Sequence, residues 1–365
     1  MRLRSLLLAL AGGVFLAGLL CVGPALSEAA RRAPPPLKPD DALSDFASRL
    51  ALSASRRHDN LALFLVTATG AAVPRVQLTF DQAVNKGLVE VSELKDSEVN
   101  RLRLRSSAKE PVFAIAGEML RGGKQDRILA DDLIIPPGAD VVVPVFCVEH
   151  GRWSGASGAA ARFSVGHSLA GAEVRGAGRA GQSAVWDSVA RSQEALRAPS
   201  TTGALRSVHD SEEVRRDMKP YLSALSDLPD QDPKASGVVV AVNGEVSAAD
   251  LFSSPTVFRQ LWPELLEAYV IDALEQSDLH HPTDRRSRLN REPAERWLAA
   301  LKRAERTPRD TPGAGSLYDL HDRTFHGSAL IWDRGIVHAE MFPAQVSAME
   351  SPNRLDYRRD RFRGQ

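Results

Sequence analysis

Apolar and polar positions alternate most cleanly in the first half of the chain. The segment LVEVSEL, 88–94, sets Val89 and Val91 on one side against Glu90 and Ser92 on the other, and RLRLRS, 101–106, turns Leu102 and Leu104 inward. Both predict half-buried strands. Two further runs, 112–116 and 141–148, are continuously apolar, rich in β-branched residues and bounded by turn residues, the pattern of central strands covered on both faces. LALFLVTA predicts another strand, so the folded part is expected to start at Asn60. Thr79 stands where an N-cap opens a short helix, FDQAVNK, and Gly87 where a left-handed residue closes it. Pro136, Pro137 and Gly138 predict a turn between the two apolar runs. From 151 to 181 the residues are small and carry little pattern, which predicts a surface loop, a candidate lid over the strand ends.

The second half reads as helix and hairpin. QSAVWDSVARSQEAL puts Val185, Val189 and Ala190 on one stripe with Trp186 beside it, and APSTTGALRS reads as a linker before a polar helix at 212–225. PTVFRQLWPELLEAYVIDALEQ is a long helix with Leu261, Leu265, Leu266 and Tyr269 inward, and EPAERWLAALKRAE is a second. GVVVAVNGEVSAADLF breaks at Asn243-Gly244, a hairpin signature. SALIWDRGIVHAEMF has a comparable shape about 333–335, and the two segments end on Phe252 and Phe342. Reading them as an internal duplication requires a one-residue shift. The expected fold is α+β: a β-rich N-terminal part with a mostly antiparallel sheet, followed by a helix-and-hairpin C-terminal part packed on it.

The N-terminus changes this picture. Arg2 and Arg4 precede an apolar run from Leu6 to Val22 and a small-residue exit at Ala25 and Ser27, the layout of a signal peptide cleaved near Ser27. An uncleaved anchor is the rival, because the run nears the ~18 residues a spanning helix needs. Residues 1–27 are thus assigned to the leader, 28–58 to a proline-rich spacer, 59–345 to the folded domain and 346–365 to a basic tail. Within the domain, 59–197 forms the β-rich half, 198–235 the linker and polar helix, and 236–345 the helix and hairpin half. An exported location, periplasmic or extracellular, follows, with no membrane contact after cleavage. Cys147 would then be the only cysteine, so no internal disulfide is expected. The 365 residues carry 46 Lys+Arg against 46 Asp+Glu, a balance that argues against nucleic acid as a partner.

Chemistry enters at the ends of the two continuous apolar runs. Glu118 follows the first and Glu149 the second, with Gln125 and Arg127 after one and Arg152 and Trp153 after the other. The pair reads as an acid and a base, as metal ligands, or as carboxylates neutralised by arginine, Glu118 by Arg152 or Glu149 by Arg127. Asp131, Asp132 and Glu118 would suit a hard cation, but no histidine or cysteine spacing supports a metal, and neither metal nor cofactor is expected. Cys147 alternates onto the side of Val143 and Val145, which favours a buried thiol over a nucleophile. No GxSxG elbow, Walker loop or GxGxxG after a strand is present.

The ordered blocks LALFLV, FDQAVNKGLVEVSE, AGEMLRGGKQDRIL, IPPGADVVVPVFCVEHGRW and VWDSV resemble the bacterial ARG and rhodanese-phosphatase-superfamily-associated protein domain. GVVVAVNGEVSAADLF with FRQLWPELLEAY is similar to its second part. The family's name implies company with ADP-ribosylglycohydrolases and rhodanese-like phosphatases and no particular activity. Its motif positions fall on Glu118, Gln125, Arg127, Glu149, Arg152 and Trp153, and GKQDR departs from it by placing a charge at Asp126. The leading expectation is a binding domain for a small molecule or protein, with its site at the strand ends. A hydrolase of a nucleotide- or sugar-linked substrate, with Glu118 and Glu149 as acid and base, and a purely structural protein are the alternatives.

Overall fold

The computed structural model describes residues 39–94, 98–152, 163–277 and 290–344. The leader, the basic tail and Trp153 lie outside them. Ordered structure begins before Asn60, which corrects the spacer assigned to 28–58. Helix α1 (Pro39–Ser48) buries Leu43 and Phe46, and β1 (Leu50–His58) pairs antiparallel with β2 (Leu61–Ala68). Phe46 and Leu43 sit four positions or fewer apart, so one helical face supplies both to the core.

The chain then builds two smaller sheets. β3 (Leu78–Thr79) leads into α2 (Phe80–Asn85), and β4 (Val89–Glu93) and β5 (Arg101–Ser106) follow as the alternation predicts. The apolar run at 112–116 forms β6 (Val112–Ala114), which pairs parallel with β3 and antiparallel with β9 (Leu133–Ile135). Between them lie β7 (Glu118–Arg121) and β8 (Arg127–Leu129), and the run at 141–148 forms β10 (Asp140–Cys147). Of the segment expected to be loop, the described residues hold β11 (Ser164–Leu169) and α3 (Ala172–Ala177). That correction has a simple cause: alanine and glycine hide helical periodicity by contributing no hydrophobic contrast, while Val165, Leu169 and Val174 supply enough burial to fix the segment. The six-stranded sheet runs β11-β7-β8-β10-β5-β4.

Helices α4 (Gln182–Ala195), α5 (Arg206–Asp210) and α6 (Glu212–Leu225) lead to β12 (Ala235–Val242) and β13 (Glu245–Leu251). After α7 (Pro255–Glu275) and α8 (Glu292–Leu301) come β14 (Glu305–Arg309), β15 (Ser316–His321), β16 (Phe325–Trp332) and β17 (Gly335–Pro343). Eight strands form an antiparallel sheet in the order β1-β2-β12-β13-β17-β16-β15-β14, so the first two strands belong with the C-terminal hairpins. Every residue of β12 is buried because both faces are covered. Val238, Val240 and Val242 join the cluster that includes α7, while Val239 and Ala241 join α1 and α8 on the opposite face.

The two hairpins are equivalent without the shift expected from sequence. Gly237 pairs with Leu251 and Gly327 with Met341, Val238 with Asp250 and Ser328 with Glu340, a constant spacing of 90 residues. The register slips after Val240 in one and after the matching Leu330 in the other. The equivalence spreads outward, since β1-β2-β12-β13 mirrors β14-β15-β16-β17 about the β13–β17 contact and each set follows a helix, α1 or α8. Residues 69–234 therefore interrupt the first repeat, whereas only 322–324 separate β15 from β16.

Candidate functional site

The end of β10 is fixed from three directions. Its backbone pairs with β5 over 140–144 and with β8 over 145–147. On its free side the Gln182 side chain takes the place of a strand, donating to the Cys147 carbonyl at 2.8 Å and accepting the Cys147 amide at 2.9 Å. Beyond it, the Val148 amide donates to the Asp126 carbonyl at 3.0 Å, the Leu205 amide to the Val148 carbonyl at 2.8 Å, and Glu149 bridges Ala204. The carboxylate of Glu149 is thereby delivered into a buried polar cluster between the 122–126 turn and the segment 202–206.

Glu149 Oε2 accepts Arg152 Nε at 2.9 Å and the Asp126 amide at 3.0 Å, and Oε1 accepts Thr202 Oγ1 at 2.8 Å. Burial alone would raise its pKa, but the bonds from Arg152, Thr202 and the Asp126 amide prevail and hold it below the ordinary carboxylate value. Asp126 is the opposite case. Burial lifts its pKa even though Oδ1 accepts the Gly122 amide at 3.0 Å and Arg152 at 3.1 Å, with Arg206 Nε 3.3 Å from Oδ2. Gln125 Nε2 donates to the Glu149 carbonyl at 2.8 Å. Arg127 is fully buried, gives Nε to the Val99 carbonyl at 2.8 Å and the Gln125 carbonyl another bond, and lies 3.6 Å from Glu93. Gln125 Oε1, Arg127 Nη2 and Glu93 Oε2 are buried without hydrogen-bond partners. Arg152 and Arg206 form the wet side of the cluster, with side chains 22% and 38% exposed.

Of the residues the sequence singled out, Gln125, Arg127, Glu149 and Arg152 meet here. Glu118 does not. β7 runs from Glu118 at one end to Arg121 at the other, and Glu149 touches the turn beyond Arg121, so the two glutamates sit at opposite ends of the β7–β8 hairpin. Burial pushes the Glu118 carboxyl well above its usual pKa, with Glu264 and Asp81 adding like charge, and its Oε1 has no hydrogen-bond partner. The arginine pairings also differ from expectation: Arg152 serves Glu149, and Arg127 faces Glu93. Asp126, which was not among the expected site residues, is an integral member. Thr202 and Arg206 were missed because they lie in what reads as a linker. The Gly203 that makes it look like one allows the chain to turn there, at φ +63°.

Other candidates resolve plainly. Cys147 is buried, its Sγ 3.6 Å from the Val99 carbonyl, and burial raises its thiol pKa, the reverse of what a nucleophile needs. Asp131 pairs with Arg309, Asp132 accepts the Ala116 amide at 2.9 Å, and Glu118 is with Asp81 and Glu264, so the proposed mixed-carboxylate set is dispersed. Among the described residues no group of three or more His, Cys, Asp or Glu side chains is arranged to hold a metal ion.

A second, enclosed polar cluster was not legible at all. His338 lies between two aspartates, Nδ1 at 2.8 Å from Asp132 Oδ2 and Nε2 at 3.0 Å from Asp250 Oδ1. Phe252 stacks on its ring at 4.4 Å between centroids. Asp250 takes both Arg175 nitrogens, at 2.8 and 3.0 Å, and Tyr269 Oη at 2.5 Å. Glu340, the register partner of Asp250 across β13–β17, accepts Arg179 at 3.0 Å and Ser328 Oγ at 3.0 Å. The clamp is thus built where the two repeats meet, with Arg175 and Arg179 contributed by the inserted segment. Its centre, His338, Asp250 and Arg175, is buried, and Arg179 at its edge keeps a partly exposed side chain.

The model of one protein family, described as the ARG and Rhodanese-Phosphatase-superfamily-associated Protein domain, matches residues 49–342. No curated protein and no solved structure matches the chain.

Proposed function

This chain belongs to the ARG and Rhodanese-Phosphatase-superfamily-associated Protein domain family, and from that premise we propose that it is an exported, non-catalytic binding domain with its site at the end of β10. The observation that carries the reading is the Glu149 cluster. Its carboxylate is buried and held ionised by Arg152, Thr202 and a backbone amide, so it is poised to position partners rather than to exchange protons. Around it Gln125 Oε1 is buried without a hydrogen-bond partner and Arg127 Nη2 has only its 3.6 Å ion pair with Glu93, which favours a ligand that brings a donor to the former and an acceptor to the latter. Glu93, Asp126 and Glu149 balance Arg127, Arg152 and Arg206, which favours an uncharged polar moiety over a bare anion.

The hydrolase reading keeps one supporting observation: Glu118 and Glu149 have pKa values pushed in opposite directions, as acid and base must. Their placement at opposite ends of a hairpin weighs against it. Export rests on the leader pattern at 1–27, and among the described residues no helix is long and apolar enough to cross a membrane. N-terminal sequencing of protein from the cell envelope should begin near Glu28; an intact Met1 there would replace the cleaved leader with an anchor.

The binding test is a thermal-shift screen with ADP-ribose, AMP, glucose and magnesium chloride as probes. An organic probe is expected to raise Tm by a few degrees at saturating concentration, about 2.7 kcal/mol at 100 times Kd. Glu149→Gln should remove most of that shift. A shift that survives Glu149→Gln unchanged would place the site elsewhere, and release of a hydrolysis product would return the protein to the enzyme class.

A further inference from the structure

A second pair of carboxyls lies where α3, α4 and α7 meet, unused by either cluster. Gly171 precedes α3 and has no side chain to cap it, so Asp272 of α7 supplies the cap, accepting the Ala172 amide at 2.8 Å. The fit is close: a Cβ at Gly171 would lie 2.3 Å from Asp272 Oδ1, and that oxygen has no hydrogen-bond partner. One turn along the same face of α7, Glu275 accepts Ser192 Oγ from α4. Two acids on one turn therefore hold down the first residues of α3 and the last turn of α4.

We propose that Asp272 and Glu275 form a proton-operated latch that ties the packing of α3 and α4 against α7 to the surrounding pH. With at least one proton on the pair, the two acids share one turn of α7, Asp272 buried and Glu275 half-buried. Stripped of protons, two negative charges share it, and α3 and α4 are pushed outward. Burial, with like charge from Glu173 on both acids and from Asp272 on Glu275, raises Asp272 to about 7 and Glu275 to about 8. The transition therefore falls close to neutral pH.

Charged and titratable groups face the pair from α3, α4 and α7. α3 presents Glu173, which opposes ionisation, and Arg175, which favours it but is committed to Asp250. α4 presents Arg191, bound to Glu173 at 2.7 Å. Tyr269 on α7 bonds Asp250, and on the α6 side Tyr221 donates to Asn60 at 2.8 Å, whose amide holds the Ala273 carbonyl at 2.9 Å. None of these supplies a cation dedicated to the pair.

The latch also reaches the candidate site, though it stands without it. α4 opens with Gln182, which holds both polar groups of Cys147 two residues before Glu149. Loosening α4 would release the end of β10.

The test is hydrogen exchange of the amides in 172–195 in the whole protein, corrected for intrinsic rate, at pH 6 and pH 9, alongside Tm. A carboxyl whose folded pKa exceeds its unfolded value binds its proton more tightly when folded, so its stabilisation is complete below about pH 4 and is lost as pH rises through 7 to 8. Wild-type protection of α3 and α4 should fall at least tenfold between the two pH values, since Asp272 alone loses about one pKa unit of stabilisation over that interval. Asp272→Asn keeps the capping oxygen and cannot ionise, so it should flatten the response; Glu275→Gln provides an independent second variant. His338 also loses stabilisation in this range, so the readout is the difference from wild type. Equal pH responses in wild type and both variants, or no local response in wild type, would overturn the latch.

Discussion

Replacing Asp250 by Asn should destabilise the protein by about 3–5 kcal/mol, the range for breaking one side of a buried charge cluster. Asparagine preserves the shape and one acceptor, so packing changes little. What disappears is the negative charge that faces Arg175 and His338, both almost wholly removed from water. Burial would neutralise His338, but Asp132 and Asp250 outweigh it and raise its pKa to about 10. Arg175 likewise stays charged against its own burial through Asp250. In Asp250→Asn, Glu340 is left 3.7 Å from Arg175 and already engaged by Arg179, so it cannot take over both duties. Urea unfolding should show the loss in the midpoint. The pH profile should change as well: stabilisation by a histidine with a raised pKa is complete below about pH 6.5 and is lost as pH climbs through 10. The variant should lose part of that alkaline dependence, Asp132 retaining the rest.

Gly327→Ala should cost about 3 kcal/mol, while Gly237→Ala costs less. A Cβ at Gly327 would lie 1.9 Å from the Glu340 carbonyl oxygen, and one at Gly237 would lie 2.8 Å from the Asp250 carbonyl oxygen. Both clashes are with backbone of the paired strand, so no side chain can rotate away and the hairpin itself must open. Because the two glycines hold the same place in their repeats, both variants should destabilise in the same sense, and chemical unfolding of each measures it. If Gly327→Ala were neutral, the close approach of β16 and β17 would be wrong, and with it the constant spacing of the two hairpins.

The alternation of β4 and β5, the continuous apolar run of β10 and the Asn243-Gly244 turn could be read directly, because those patterns are local consequences of period, burial and turn chemistry. The edge strand β1, LALSASRRH, could not, since its burial comes from β2 and from helices distant in sequence. Half of the candidate site shows the same division. Glu149 and Arg152 are three residues apart and their pairing is a local matter, whereas Arg206 reaches Asp126 only after the chain has folded through β11, α3 and α4. Glu118 misled for a related reason. An apolar run ending in glutamate fixes burial of that residue but not which end of a hairpin it occupies. His338, Asp132 and Asp250 carry no motif spacing at all, because three separate segments converge on them.

Glu149 and Glu118 occupy separate electrostatic environments, one arginine-held and ionised, the other buried and protonated. Carboxyl-carbon NMR titration of glutamate-labelled protein, assigned with Glu149→Gln and Glu118→Gln, measures both directly. Glu149 should titrate below and Glu118 above the ordinary glutamate value, each unaffected by removal of the other. Two coupled steps that shift together when either residue is replaced would mean a shared acid–base pair and would contradict the binding-domain reading.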